Sequence, residues 1–149
     1  MPGSIPRFIE TDRYKRLVET SHDLIWSVDE AGRYTFVNDT ATQRIFGYTA
    51  TEMIGRPFTD FMTSEQAAKD LAVFSRIKAG ERVFNYRTIH FRKDGVPVHL
   101  SFNAVVEAGP SGEVVGTTGT ATDVSDLVHY SAALERSEER YRLLFENGT

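Results

Sequence analysis

Leu24-Ile25-Trp26-Ser27-Val28-Asp29-Glu30-Ala31-Gly32-Arg33-Tyr34-Thr35-Phe36-Val37-Asn38 is the stretch on which the reading of the fold turns. Residues 24–28 and 33–38 are short runs rich in β-branched and aromatic side chains, with the tight-turn residues Asp29-Glu30-Ala31-Gly32 between them, so the stretch predicts a β-hairpin. The pattern then changes. Thr40 with Gln43, Thr49 with Glu52, and Thr63 with Gln66 each match a capping box, in which a hydroxyl accepts from an early backbone N–H and the third-on residue reaches back. Three starts so close together imply compact helical connections. The third helix is expected over 64–78, with Ala67, Leu71, Phe74 and Ile77 on one face and Gly80 as its C-terminal cap. Gly32, Gly47 and Gly55 fit turns and helix ends that need positive φ, and Asn38 with Asp39 is placed to cap the first crossover helix. Long strands are expected over 82–92, 96–108 and 113–122, separated by turns at Lys93-Asp94-Gly95 and Gly109-Pro110-Ser111-Gly112. Two strands, a helical crossover and three strands predict an α+β fold, a five-stranded antiparallel sheet with helices gathered on one face.

Helices flank this unit. Phe8, Ile9, Tyr14, Leu17 and Val18 fall at roughly helical spacing and predict an amphipathic N-terminal helix. From Asp126 onward, Leu127, Leu134 and Tyr141 share one heptad position while Tyr130, Ser137 and Leu144 share a second, which predicts a coiled-coil seam. A homodimer through these two helices is the expected assembly. Arg13, Tyr14, Leu17 and Glu19 return as Arg140, Tyr141, Leu144 and Glu146, so the chain reads as one module and its linker with a second copy beginning at its end. The expected organisation is an N-terminal helix over 1–22, a core domain over 23–125 and a linker helix over 126–149.

The chain has 149 residues, a net charge of −4 and 26% charged residues with the signs interspersed, so it offers no basic stripe for nucleic acid. No apolar run approaches the roughly 18 residues that cross a bilayer, and direct membrane contact is not expected. Met1-Pro2-Gly3-Ser4-Ile5-Pro6 lacks the basic start and apolar core of a signal peptide, which leaves a cytoplasmic location as the expectation. With no cysteine, the chain has no disulfide, thiolate nucleophile or cysteine-ligated metal. Enzymatic chemistry finds no support, because there is no phosphate-binding glycine loop, metal-spaced histidine pair or Ser-His-Asp arrangement.

In order and punctuation the chain resembles a PAS domain with its C-terminal PAC segment. The resemblance rests on residues 24–29, 32–38, Phe46-Gly47-Tyr48, Glu52-Met53-Ile54-Gly55-Arg56, Arg92-Lys93-Asp94-Gly95 and 115–125. Asp123-Val124-Ser125 is similar to the Asp-Ile-Thr junction at which such domains pass into a signalling helix, and residues 140–146 look like the opening of a next PAS domain. The resemblance implies a pocket between the inner sheet face and the third crossover helix. By comparison with flavin-binding light sensors of the superfamily, its wall should include Trp26, Val28, His90, Leu100, Phe102 and Ala121, faced by Leu71, Phe74 and Ile77. Phe58 stands where those sensors carry their adduct-forming cysteine, and Met62, His90, Leu100 and Ala121 replace their ring-bracketing amides, which excludes adduct photochemistry. Heme is not expected either, because heme sensors of the family generally place the iron-binding histidine on the long crossover helix, which here has none.

His90 is therefore expected to be a structural residue, its ring packed inward and one nitrogen held by a hydrogen bond; the same setting leaves no bound cofactor or metal as the expectation, with a small apolar ligand as an option. Signal relay is assigned to Asp123, Val124, Ser125, Leu127 and Leu134, with Asp123 accepting from the first helical turn or pairing with a cation and Ser125 or Asp126 capping the helix. The resemblance implies a sensory input module of a bacterial multi-domain protein, a histidine kinase or diguanylate cyclase, with adjacent PAS and output domains as partners. The alternative is a ligand-free dimerisation spacer.

Overall fold

A computed structural model describes residues 7–147 of the chain and side chains from 11 to 146. Met1-Pro2-Gly3-Ser4-Ile5-Pro6 and the side chains of Phe8 and Ile9 lie outside the described residues. Helix α1 (Arg7–Thr20) leads into the hairpin β1 (Leu24–Asp29) and β2 (Tyr34–Val37). The crossover comprises α2 (Asp39–Phe46), α3 (Ala50–Met53), a 3-10 turn (Phe58–Phe61) and α4 (Ser64–Lys78). Strands β3 (Val83–Phe91), β4 (Pro97–Ala108) and β5 (Val114–Asp123) follow, and α5 (Ser125–Asn147) leaves the domain. The five strands form one sheet in the order β2-β1-β5-β4-β3, with every pairing antiparallel. The crossover carries the chain from one edge of the sheet to the other, so the last strand must enter the middle.

The middle is tight. Gly119 on β5 pairs with Trp26 on one side and Ala104 on the other. A Cβ at Gly119 would lie 1.8 Å from the Asn103 carbonyl oxygen, so only glycine lets the two backbones approach this closely. Alternation along the strands sends Leu24, Trp26, Val28, Val98, Leu100, Ala104, Thr117 and Ala121 to the inner face. There they meet Ile45, Phe46, Met53, Phe61, Phe74 and Ile77 from the crossover.

At two of the three expected capping boxes the hydroxyl half forms, Thr49 Oγ1 accepting from Glu52 N at 3.3 Å and Thr63 Oγ1 from Gln66 N at 3.1 Å, while the Glu52 and Gln66 side chains turn to Lys93 and Asp70. The first does not. α2 already includes Thr40, and the Gln43 amide instead donates to Asp39 Oδ2 at 2.7 Å. Nor does Asn38 cap α2 with its side chain. It is 1% exposed, and its amide accepts from Ile25 N at 2.8 Å while donating to the Val18 and Asp23 carbonyls at 3.1 and 3.0 Å. Three backbone partners brought together by tertiary folding outcompete one local cap, and they tie the end of α1 to the start of β1. Asp39 Oδ1 likewise accepts from Ala50 N at 2.7 Å, joining α2 to α3.

Within the expected α1 stripe, Tyr14 and Leu17 are exposed and Val18 is half-buried. The heptad positions Leu127, Tyr130, Leu134, Ser137, Tyr141 and Leu144 of α5 are exposed too. Among the described residues no helix is long and apolar enough to cross a membrane.

Candidate functional site

Between the inner sheet face and α4 the packing leaves a cavity of about 70 Å³. Its wall is drawn from every strand: Trp26 and Val28 on β1, Tyr34 on β2, Val83, Tyr86, Thr88 and His90 on β3, Phe102 and Ala104 on β4, and Thr117 on β5. Phe58 and the α4 residues Asp70, Val73, Phe74 and Ile77 close it. Of the residues expected at a pocket, Trp26, Val28, Phe74, Ile77, His90 and Phe102 lie at the cavity wall. Leu100 and Ala121 point inward, but they are wholly buried in the adjoining core and do not reach it.

Leu71 is a correction. It is 45% exposed, because α4 turns Asp70, Val73, Phe74 and Ile77 toward the sheet. Hydrogen bonding explains the rotation. Asp70 is 8% exposed; its Oδ1 accepts from Tyr86 Oη at 2.6 Å and Gln66 Nε2 at 2.8 Å, and its Oδ2 from Thr88 Oγ1 at 2.6 Å. Three donors compensate for the burial of a carboxylate that hydrophobicity alone would place in water.

Tyr86 and Thr88 reach Asp70 because they pair with the inward-facing Phe102 and Leu100 of β4, and a bulge before them brings Val83 to the same face. The pairing of β3 with β4 slips between Val83 and Tyr86, and Asn85 takes φ 56, with its N–H held by Asn103 Oδ1 at 3.1 Å. The extra residue changes which parity of β3 faces inward, so Val83 before the bulge and Tyr86, Thr88 and His90 after it all line the cavity.

The wall is strongly aromatic. Trp26 meets Phe102 edge-on at 5.6 Å between ring centroids, Phe58 meets Phe74 edge-on at 5.4 Å, and His90 stacks on Phe102 at 5.6 Å. His90 is 2% exposed and its Nδ1 is buried without a partner, contrary to the expected hydrogen bond, because its neighbours on both sides are the rings of Phe46 and Phe102. Burial pushes its pKa down to about 4, against a smaller opposing pull from Asp70. Burial also raises the Tyr34 phenol well above its ordinary range, with Asp70 adding to the effect. Trp26 Nε1 is the second buried, unpartnered nitrogen on this wall. A surface groove beside Phe46 and Gly47 carries two cations, but Arg92 is engaged there with the Ile45 carbonyl at 2.8 Å and Lys93 with Glu52 at 3.0 Å.

The second element of the site is the junction from β5 into α5. Val124 N donates to the His99 carbonyl at 2.8 Å, and His99 N donates back to Ser125 Oγ at 3.0 Å. Asp123 Oδ1 accepts from Ser125 N at 2.9 Å, and the His99 and His129 rings meet edge-on at 6.1 Å. The expectation for Asp123 is met in its first form, acceptance from the start of the helix, and among the described residues it makes no ion pair. The helix was expected to be capped by Asp126 or by Ser125. The Ser125 hydroxyl serves β4 instead, so the root of α5 is stitched to His99 through both the N–H and the C=O of one residue. Leu127 and Leu134 point away from this junction into solvent.

The family model of the PAS fold matches residues 12–124. The chain is 30% identical over 117 residues to the methanogenesis regulatory histidine kinase FilI of Methanothrix harundinacea, an alignment covering 77% of this chain and 13% of that protein. It is 27% identical over 139 residues to sporulation kinase A of Bacillus subtilis, covering 92% of this chain and 22% of that one. The chain therefore spans less than a quarter of the length of either relative. Among solved structures, a PAS domain from Colwellia psychrerythraea superposes with a TM-score of 0.71 at 16% identity, over 78% of this chain and 98% of that one.

Proposed function

This chain belongs to the PAS family, and from that premise we propose that it is a sensory input module of a multi-domain signalling protein. In this reading, occupation of the cavity alters the sheet and α5 carries the change to neighbouring domains. The observation that carries the reading is that one strand serves both places. β4 presents Phe102 and Ala104 to the cavity, while His99, three residues before Phe102, holds the root of α5. A displacement of β4 at the cavity therefore moves the anchor of the helix, and two arrangements of α5 are all that a bistable relay needs.

The rest of the proposal concerns the whole protein. Both kinase relatives favour a histidine kinase output over a diguanylate cyclase, with catalysis outside this chain and the module on the cytoplasmic side. Exposed Leu127, Leu134 and Tyr141 on α5, with Tyr14 and Leu17 on α1, support a homodimer with α5 running on into an adjacent domain. The size of the cavity supports a small ligand rather than a flavin or heme.

The ligand-free spacer is the second reading, and one observation favours it: about 70 Å³ falls well below the roughly 300–1,000 Å³ of ordinary ligand pockets. Native mass spectrometry of the purified chain separates the two. A retained small-molecule mass that Ala104→Leu, filling the cavity, removes supports the sensor. Bare protein, with Ala104→Leu leaving the output of the full-length protein unchanged, supports the spacer.

A further inference from the structure

We propose that the ligand of the cavity is a small organic ammonium ion, received by Asp70 and the aromatic walls around it. The proposal rests on the sensory reading above and gives it a ligand class.

Asp70 supplies the first reason. A carboxylate offers about four lone-pair positions, and Gln66, Tyr86 and Thr88 donate to three of them. All three donors are neutral. Among the described residues no Lys, Arg or His forms an ion pair with Asp70, and neither Lys nor Arg lines the cavity. The carboxylate is thus well hydrogen-bonded but lacks a counter-charge, in a setting where a buried charge is costly until it is paired. With two donors on Oδ1 and one on Oδ2, the free acceptor position is on Oδ2.

The walls supply the second. Trp26, Tyr34, Phe58, Phe74, Tyr86 and Phe102 all border the space, and aromatic faces attract a cation that has left water. His90 adds no opposing charge, since burial holds its imidazole neutral at physiological pH. An anion would meet Asp70 with only the uncharged Trp26 indole N–H to offset the repulsion, and a neutral molecule would leave Asp70 without a counter-charge.

Volume sets the size. A dry cavity of roughly 150 Å³ holds a benzene ring, so about 70 Å³ admits on the order of three or four non-hydrogen atoms. Isopropylammonium, isopropanol and acetate each have four non-hydrogen atoms and differ in charge, the first two having nearly one shape and acetate being flat.

The experiment is an NMR titration of the purified chain with each of the three compounds at pH 7.5, read at the Trp26 indole N–H and at the Tyr86 and Thr88 amides. Isopropylammonium should bind at least about tenfold more tightly than isopropanol, the difference expected of a desolvated cation against aromatic faces and a carboxylate. Acetate should leave the spectrum unmoved. Asp70→Asn should bring the affinity for isopropylammonium down to that for isopropanol; should that variant fail to fold, the ranking of the three compounds on the native chain still decides. Isopropanol or acetate binding as tightly as isopropylammonium would overturn the cation while leaving a ligand-binding sensor in place. Binding of none of the three would overturn the cation as well, and only a bare protein in native mass spectrometry, with Ala104→Leu leaving the output unchanged, would then remove the sensor reading with it.

Discussion

Acid should destabilise this domain through His90 in particular. The imidazole is 2% exposed, packed between the rings of Phe46 and Phe102, and its Nδ1 has no partner. Its pKa falls from 6.5 to about 4 on folding, so between those values the unfolded chain binds the proton that the folded chain refuses. The resulting stability is fully present above pH 6.5 and declines as the pH drops toward 4. At about 1.4 kcal/mol per pH unit of displacement, His90 alone should remove about 2 kcal/mol between pH 7.5 and pH 5. Urea unfolding at pH 7.5, 6.5, 5.5 and 5, on the native chain and on His90→Phe, isolates this contribution, because the other three histidines titrate in both proteins. The variant should lose about 2 kcal/mol less over that range. At pH 7.5 it should be as stable as the native chain or slightly more so, since it removes a buried nitrogen that has no hydrogen bond. Parallel pH curves for the two proteins would refute a neutral, buried His90.

Three other substitutions test the architecture. Asn38→Ala removes one acceptor and two donors from backbone groups of α1 and β1 and should cost about 3 kcal/mol in urea unfolding, whereas a loss below about 1 kcal/mol would mean that the three bonds are dispensable. Gly119→Ala forces a Cβ against the Asn103 carbonyl and should lower Tm by about 6–12 °C, equivalent to roughly 3 kcal/mol in a chain of this length; an unchanged Tm would contradict the close approach of β5 and β4. Ser125→Ala should cost about 1 kcal/mol and speed amide exchange at His99, while exchange at Val124, whose partner is the His99 carbonyl, stays slower.

The elements of this fold were legible wherever the signal was local. The expected helix over 64–78 coincides with α4 because Thr63 caps one end and Gly80, at φ 107, closes the other. The strands were readable from alternation and from turn residues. What escaped was set by partners distant in sequence. Hydrophobicity placed Leu71 inside, whereas Asp70 is the residue turned inward, because Tyr86 and Thr88 on β3 wait for a carboxylate. The spacing of Gln66 and Asp70, one helical turn apart, is the trace of that network in the sequence. The β3 bulge left no mark beyond Asn85, a residue that tolerates positive φ, so Val83, of opposite parity to His90, could not be assigned to the inner face. Asn38 looked like a cap because its neighbours in sequence suit one, while its three actual partners come from the end of α1 and the start of β1. The junction residues Asp123, Val124 and Ser125 were recognisable from the motif, but His99, the partner of Val124 and Ser125, was not.

The claim at the centre of this account is that the cavity and the root of α5 move together through β4. Ala104→Leu fills the cavity from β4 itself and serves as a permanent occupant. Residue-resolved amide exchange of the native chain and this variant should show changed protection at the two junction amides, His99 and Val124, as well as at Thr88 and His90 across the cavity. Changes confined to the cavity wall, with His99 and Val124 exchanging as in the native chain, would contradict the relay.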